Sequence, residues 1–328
     1  MYKKSLDFFD NSKFLVFLVS LIYSILIGHG YIGFGIDYLV IYSKYNVQSP
    51  TMFDLIGWTI STLSIKKIHI GAYITSFIIS LSSGLLCRFF FNAMKLNSLF
   101  FFIIIYVLIL FSWPVIISAN NAMRQGIAMA FIFFALIQIH NKKKILGVLF
   151  FIISLFTHKS SLGFFFVFVY LSFFNFLNKD KEIKIKGILN YGFILFFISI
   201  LYLYISDKYD HDRFENNVMI GLNFVPLFFL INIIYVFYFT IRYKFLNSQI
   251  NLYVYFFSLH SVALLPNGLF WQYERYNMTL LLVYIFIFAT CIVKNQKYIY
   301  LIGVFSLLLI LTFLTGMYTV GIGIFPIY

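Results

Sequence analysis

Charge is scarce in this chain. Only 11% of its 328 residues are Asp, Glu, Lys or Arg, against 62% hydrophobic and a mean hydropathy of +0.93. That balance excludes an ordinary soluble domain and predicts an all-α polytopic membrane protein. Cysteine is nearly absent: Cys87 and Cys291 are the two present, both expected near cytoplasmic helix ends, and no disulfide is predicted. There is no Walker loop, dinucleotide fingerprint, zinc-protease helix or nucleophile elbow, so no cofactor is expected and no metal site is assigned. The acid-rich loop Asp207-Lys208-Tyr209-Asp210-His211-Asp212-Arg213-Phe214-Glu215 lacks metal-ligand spacing and reads as a solvated connector. No small-x-small cleavage site follows the first apolar run, Phe14 to Ile27, so that run is read as an uncleaved span. With no internal repeat, linker or low-complexity tail, residues 1–328 read as one multi-span domain.

What is present is apolar sequence in span-length pieces. Eleven candidate transmembrane helices follow from a requirement of about 20 apolar residues each: about 14–30, 68–88, 99–118, 123–139, 145–157, 161–177, 188–205, 218–241, 250–266, 276–293 and 299–316. Phe and Tyr dominate the aromatics, as lipid-facing side chains and interface belts. The net charge of +13 is scattered between spans and forms no continuous basic face, which argues against nucleic acid as a partner and for the positive-inside rule. Placing the N-terminus in the cytoplasm puts 16 basic and four acidic residues inside, against eight basic and seven acidic residues outside. This orientation is the one the bias supports.

Two loops stand apart. From Ser49-Pro50 onward, Met52, Phe53, Leu55, Ile56, Trp58, Ile60 and Leu63 recur at roughly helical spacing and end at Lys66-Lys67, predicting an amphipathic helix on the outer interface that roofs a cavity. The other is Asn120-Asn121-Ala122-Met123-Arg124-Gln125-Gly126, with Thr157-His158-Lys159-Ser160-Ser161 as its companion at the next outer boundary. Ionisable groups at such places cost about 3 kcal/mol or more when unpartnered.

Helices that start on the outer side carry cations at or near their first turns: Lys66-Lys67, Arg124, His158-Lys159 and Arg275, with Arg213 a few residues before another. That placement opposes both the helix dipole and the positive-inside rule. An anion shared by these ends relieves it, because helix N–H groups with guanidinium forks bind phosphate; snorkelling of each side chain to the headgroups is the competing reading. The span before His158 is only thirteen residues, which places this histidine below the outer surface in a water-filled pocket, as hydrogen-bond donor, base or anion ligand, with a structural histidine as the alternative. His29, His69, His140, His211 and His260 lack comparable neighbours and read as structural.

These residues carry a resemblance. Arg124-Gln125-Gly126-Ile127-Ala128 and His158-Lys159-Ser160-Ser161, each opening a span, together with Gly35-Ile36-Asp37-Tyr38 followed by Tyr42, and Arg275-Tyr276 before a late span, resemble the EpsG/Wzy group of polysaccharide (O-antigen) polymerases. In that group an acid closely followed by Gly and an aromatic often comes next; Asp54-Leu55-Ile56-Gly57-Trp58 is an approximate match, so Asp37 rather than Asp54 is assigned to the site.

The resemblance implies transfer of a growing glycan from undecaprenyl pyrophosphate to a lipid-linked repeat unit at the outer face of a bacterial inner membrane, without a metal. The implied partners are undecaprenyl-pyrophosphate-linked oligosaccharides, membrane lipid and a chain-length regulator protein. It assigns Arg124 and Arg275, with Arg213, to the pyrophosphate, and Asp37 or His158 to the acceptor hydroxyl, with Glu274 a further base candidate. Tyr38 and Tyr42 would contact sugars, and Gln125, Lys159, Ser160 and Ser161 accompany them as substrate-binding residues. A flippase or exporter is the rival from another class, but such proteins place charges at midplane, break helices and repeat their halves. Here the charges gather at one face, and Pro114 and Pro226 occupy non-equivalent places. An O-antigen ligase would need the same cations and differs only in the motifs.

Overall fold

The structure, a computed structural model, describes residues 2–30, 54–65, 68–120, 122–158 and 161, with isolated positions at 164, 234, 258, 279, 282 and 283. The chain falls into two compact units, Met1–Ser161 with Leu281–Tyr328, and Leu162–Leu280. In the second unit the described positions 164, 234, 258 and 279 are all helical; Phe164, Ser258 and Thr279 are buried and Ile234 is exposed. The first unit holds nearly all of the described residues.

Its described residues form seven helices: α1 (Tyr2–Gly28), α2 (Leu55–Ser61), α3 (Ile70–Ala93), α4 (Leu99–Leu110), α5 (Trp113–Asn120), α6 (Met123–His140) and α7 (Lys144–Thr157). Among the described residues there is no strand, only an isolated antiparallel bridge between Ile65 and Ile68 that turns the chain from α2 into α3. The predicted spans at 68–88, 123–139 and 145–157 correspond to α3, α6 and α7, with α3 running five residues further through Arg88. By length and composition α3 and α6 are able to cross a membrane alone, and residues Ser12–Gly28 of α1 and the whole of α7 are shorter apolar helices. Apart from the isolated positions named above, the six spans predicted from residue 161 onward lie outside the described residues.

One expected span is broken, its two pieces together being long and apolar enough for a crossing. The apolar run 99–118 is two helices, α4 and α5, bent by 57° at Phe111-Ser112. Pro114 explains the break: it has no N–H to donate to the carbonyl one turn back, and its ring clashes there. Ser112 restarts the helix, its carbonyl accepting from Val115 N–H and Ile116 N–H, each at 3.1 Å.

The first helix turns its small polar side chains inward and its large apolar ones outward. Along α1, Ser12, Val16, Ser20, Tyr23, Ser24 and Ile27 are buried, while Phe14, Phe17, Leu18, Leu21, Ile22 and Ile25 are exposed. The serine-bearing stripe faces the protein and the oily stripe faces outward, as expected where the surrounding solvent is lipid and small or hydroxylated residues mediate helix contact. α3 is the hub, packing on α1, α2, α4, α5 and α6. Its buried face is mostly small: Gly71, Ala72, Thr75, Ser76, Ser80, Ser82, Ser83 and Gly84. Across this seam Tyr106 of α4 donates to the Ser80 carbonyl at 2.9 Å, and its hydroxyl lies 2.9 Å from Ser20 Oγ and 2.8 Å from Ser80 Oγ. Tyr106→Phe is expected to destabilise the unit by about 0.5–1.5 kcal/mol, read as a lowered unfolding transition in detergent.

The helices alternate in direction, which sorts their ends. Arg88 Nε, late in α3, donates to Ser12 Oγ, early in α1, at 3.0 Å, and Phe89 stacks edge-on with His140 at the end of α6. Lys95, Lys142, Lys143 and Lys144 lie in the turns at this same end. The opposite end collects the C-terminus of α1, all of α2, and the start of α3, where Tyr73 Oη meets His29 Nδ1 at 2.9 Å. It also holds the α5–α6 junction and the end of α7, through the contacts of α2 with α6 and α7.

Candidate functional site

The functional corner is built by the shortest helix. The helix predicted from Ser49-Pro50 is found as α2, seven residues long from Leu55, with Asp54 as its N-cap; Ser49, Pro50, Met52 and Phe53 lie outside the described residues. Its Gly57, Trp58 and Ser61 are buried against α3, α6 and α7. Two glycines make that approach possible. A Cβ on Gly71 would run into the carbonyls of Ile60 and Ser61, seating the end of α2 on the start of α3. A Cβ on Gly57 would fall on the Thr157 carbonyl oxygen, 3.0 Å from Arg124 Cβ and 3.1 Å from Arg124 Cγ. Gly57 is therefore wedged between the first turn of α6 and the last residue of α7. The two polar clusters that stand out in the sequence meet across it.

Arg124 is the second residue of α6, preceded by Ala122 as an N-cap with no side-chain hydrogen bond. Its cation sits against the positive end of the helix dipole. Relief comes from α2: Arg124 Nη1 lies 3.4 Å from Asp54 Oδ1, and the guanidinium carbon lies 4.1 Å from the centroid of the Trp58 ring. Asp54 and Trp58 are one helical turn apart, the spacing that puts two side chains on one face. One holds the guanidinium by charge, the other by its π-face. Trp58 is buried, whereas the Arg124 and Asp54 side chains keep 20% and 15% of their exposure, so the pair borders solvent. The anion expected to relieve Arg124 is thus supplied in part by the chain's own carboxylate.

His158 follows α7 as its C-cap in extended conformation, φ −163° and ψ 135°, with its N–H donating to the Ser154 carbonyl at 3.1 Å. Its side chain is buried, 5% exposed, and its carbonyl accepts from Ser161 N–H at 3.0 Å. Gln125, Asn120 and Ser161 are buried as well. Gly126 lets α6 settle onto the rest of the unit, since a Cβ there would meet Ile79 Cδ1 and the Ser118 carbonyl.

Of the residues assigned from the sequence, Arg124, Gln125, His158 and Ser161 are in this corner. Asp37, Tyr38, Tyr42, Lys159, Ser160, Arg213, Glu274 and Arg275 lie outside the described residues. Asp54 and Trp58, which the sequence reading leaves out of the site, are the groups that meet Arg124. The signal that would have found them is an acid and an aromatic four apart on a helix that also carries a glycine on its packed face.

The described residues of this unit are helical, with helices able to cross a membrane and a partly exposed arginine held at one end by a carboxylate and an indole, which is the make-up of an integral membrane protein. The chain belongs to the EpsG family, which it matches over residues 13–326, and this is a polysaccharide polymerase-like family. No curated protein and no solved structure matches the chain.

Proposed function

We propose that this protein is a glycosyltransferase that polymerises polysaccharide repeat units, such as those of O-antigen, at the outer face of a bacterial inner membrane, with its N-terminus in the cytoplasm. The donor is the growing glycan on undecaprenyl pyrophosphate and the acceptor is a lipid-linked repeat unit. The acceptor hydroxyl oxygen bonds to the donor's anomeric carbon as the bond to the pyrophosphate oxygen breaks. The hydroxyl proton passes to Asp37 or His158, and undecaprenyl pyrophosphate leaves. Negative charge grows on that leaving group, and fixed cations stabilise it. Arg124 is assigned that task, with Arg275 and Arg213 as further cations, Tyr38 and Tyr42 as sugar contacts, and no metal in the mechanism.

The observation that carries the reading is the meeting of Arg124 with the Thr157-His158 corner around Gly57, in a chain whose family is polysaccharide polymerase-like. The test is reconstitution of the full-length protein in lipid with a defined undecaprenyl-pyrophosphate-linked repeat unit, with and without chelator. A ladder of products rising in single repeat units is expected in both. If only unextended repeat unit is recovered, the reading fails, and a ladder that vanishes with chelator removes the metal-free part of it.

A further inference from the structure

Arg124 is held by two groups of different kind that come from one helix turn, and that arrangement has a consequence for how it binds. An arginine side chain has several freely rotating bonds, so an isolated guanidinium at a membrane surface samples many orientations. Here the Asp54 carboxylate approaches one terminal nitrogen at 3.4 Å, and the Trp58 ring lies 4.1 Å from the guanidinium carbon. The first contact draws one terminal nitrogen to the carboxylate, and the second holds the guanidinium carbon over the indole. Gly57, between them in sequence, brings the α2 backbone against the base of the same side chain. All three constraints ride on α2, which is itself seated on α3 through Gly71 and on α7 through Thr157.

We propose that Asp54 is a positioning residue, which acts with Trp58 to orient the Arg124 guanidinium toward the pyrophosphate of the lipid-linked donor. This inference rests on the polymerase reading above and specifies how its cation is prepared. Asp54 is not assigned as the base, because its Oδ1 is turned to the Arg124 guanidinium at 3.4 Å. A carboxylate beside a phosphate-binding arginine has two opposite effects, repelling the anion and aligning the fork. The indole decides for alignment, because a carboxylate that served only as a counter-ion to be displaced would need no second contact holding the guanidinium in place.

The experiment measures binding of undecaprenyl pyrophosphate to the full-length protein in lipid nanodiscs, together with KM and kcat for repeat-unit polymerisation. Asp54→Asn, which keeps shape but loses charge, is expected to weaken pyrophosphate binding and raise KM by about tenfold, with a smaller change in kcat. Asp54→Glu should recover most of the loss, and Trp58→Leu should weaken binding where Trp58→Phe largely preserves it. In an Arg124→Ala background, Asp54→Asn should have no further effect on binding, since Asp54 acts only through Arg124. Binding by Asp54→Asn that equals or exceeds wild type overturns the proposal, as does an undiminished effect of that change in the Arg124→Ala background. Should Asp54→Asn fail to fold, Asp54→Glu and the Trp58 pair decide the matter by the same readings. Arg124-dependent binding that is indifferent to Asp54 sinks this inference and leaves the polymerase reading standing. A wild-type protein that neither binds undecaprenyl pyrophosphate nor makes a ladder sinks both.

Discussion

Arg124→Lys is expected to reduce polymer formation by about 100-fold or more, the scale on which removal of one preorganised donor slows reactions that develop negative charge. The change keeps the positive charge and most of the aliphatic stem. It loses the planar fork that can take two phosphate oxygens at once, and it loses the flat face that lies on the Trp58 ring. An ammonium still pairs with Asp54, so folding and membrane insertion should be close to wild type. The measurement is polymer length in cells lacking the wild-type protein, with the variant's membrane level checked alongside. A normally expressed Arg124→Lys protein that makes full-length polymer would show that charge alone suffices and that the fork has no role.

The second large effect belongs to a residue with no side chain. In Gly57→Ala the new methyl falls on the Thr157 carbonyl oxygen, and that oxygen belongs to the backbone at the end of α7, where it has little freedom to move. α2 must shift instead, carrying Asp54 and Trp58 away from Arg124. A displacement of about 1 Å in groups that orient a reacting centre costs about 100-fold in rate, so polymerisation should fall by that order while the unit stays folded. Gly147 provides the contrast. Its would-be Cβ meets Ile139 Cγ1 and Cδ1 and the Ala135 carbonyl, at the α6–α7 turn remote from Arg124, so any shift it forces leaves α2 in place. Gly147→Ala should therefore retain activity. Equal activity in the two variants would mean that α2 does not hold the site in register. Trp58 fluorescence reports the shift independently, once the other two tryptophans, Trp113 and Trp271, are replaced.

Both predictions draw on features that differ in how far they can be read from the chain alone. The hydropathy pattern by itself determined that this is a membrane protein, and it placed α3, α6 and α7 within a few residues, because each residue's preference for lipid adds along a local window. It also marked Arg124 and Thr157-His158 as places that needed partners, since polar groups at the edge of hydrocarbon are costly wherever they occur. The bend between α4 and α5 was hidden by the same logic: residues 99–118 are uniformly apolar, and Pro114 alone signals a break that other membrane helices absorb without one.

The partner of Arg124 was decided only in the tertiary structure. Asp54 lies 70 positions earlier, in a loop segment whose own composition says only that it is amphipathic. No local window relates the two. What joins them is Gly57, whose missing side chain allows α2 to press its backbone against α6 and α7, so that an acid and an indole one turn apart close on a guanidinium from another helix. Membership of the EpsG family and the two polar clusters are properties of the chain read in order. The corner where those clusters meet is a property of three helices packed close enough to touch, and that closeness depends on the absence of one methyl group.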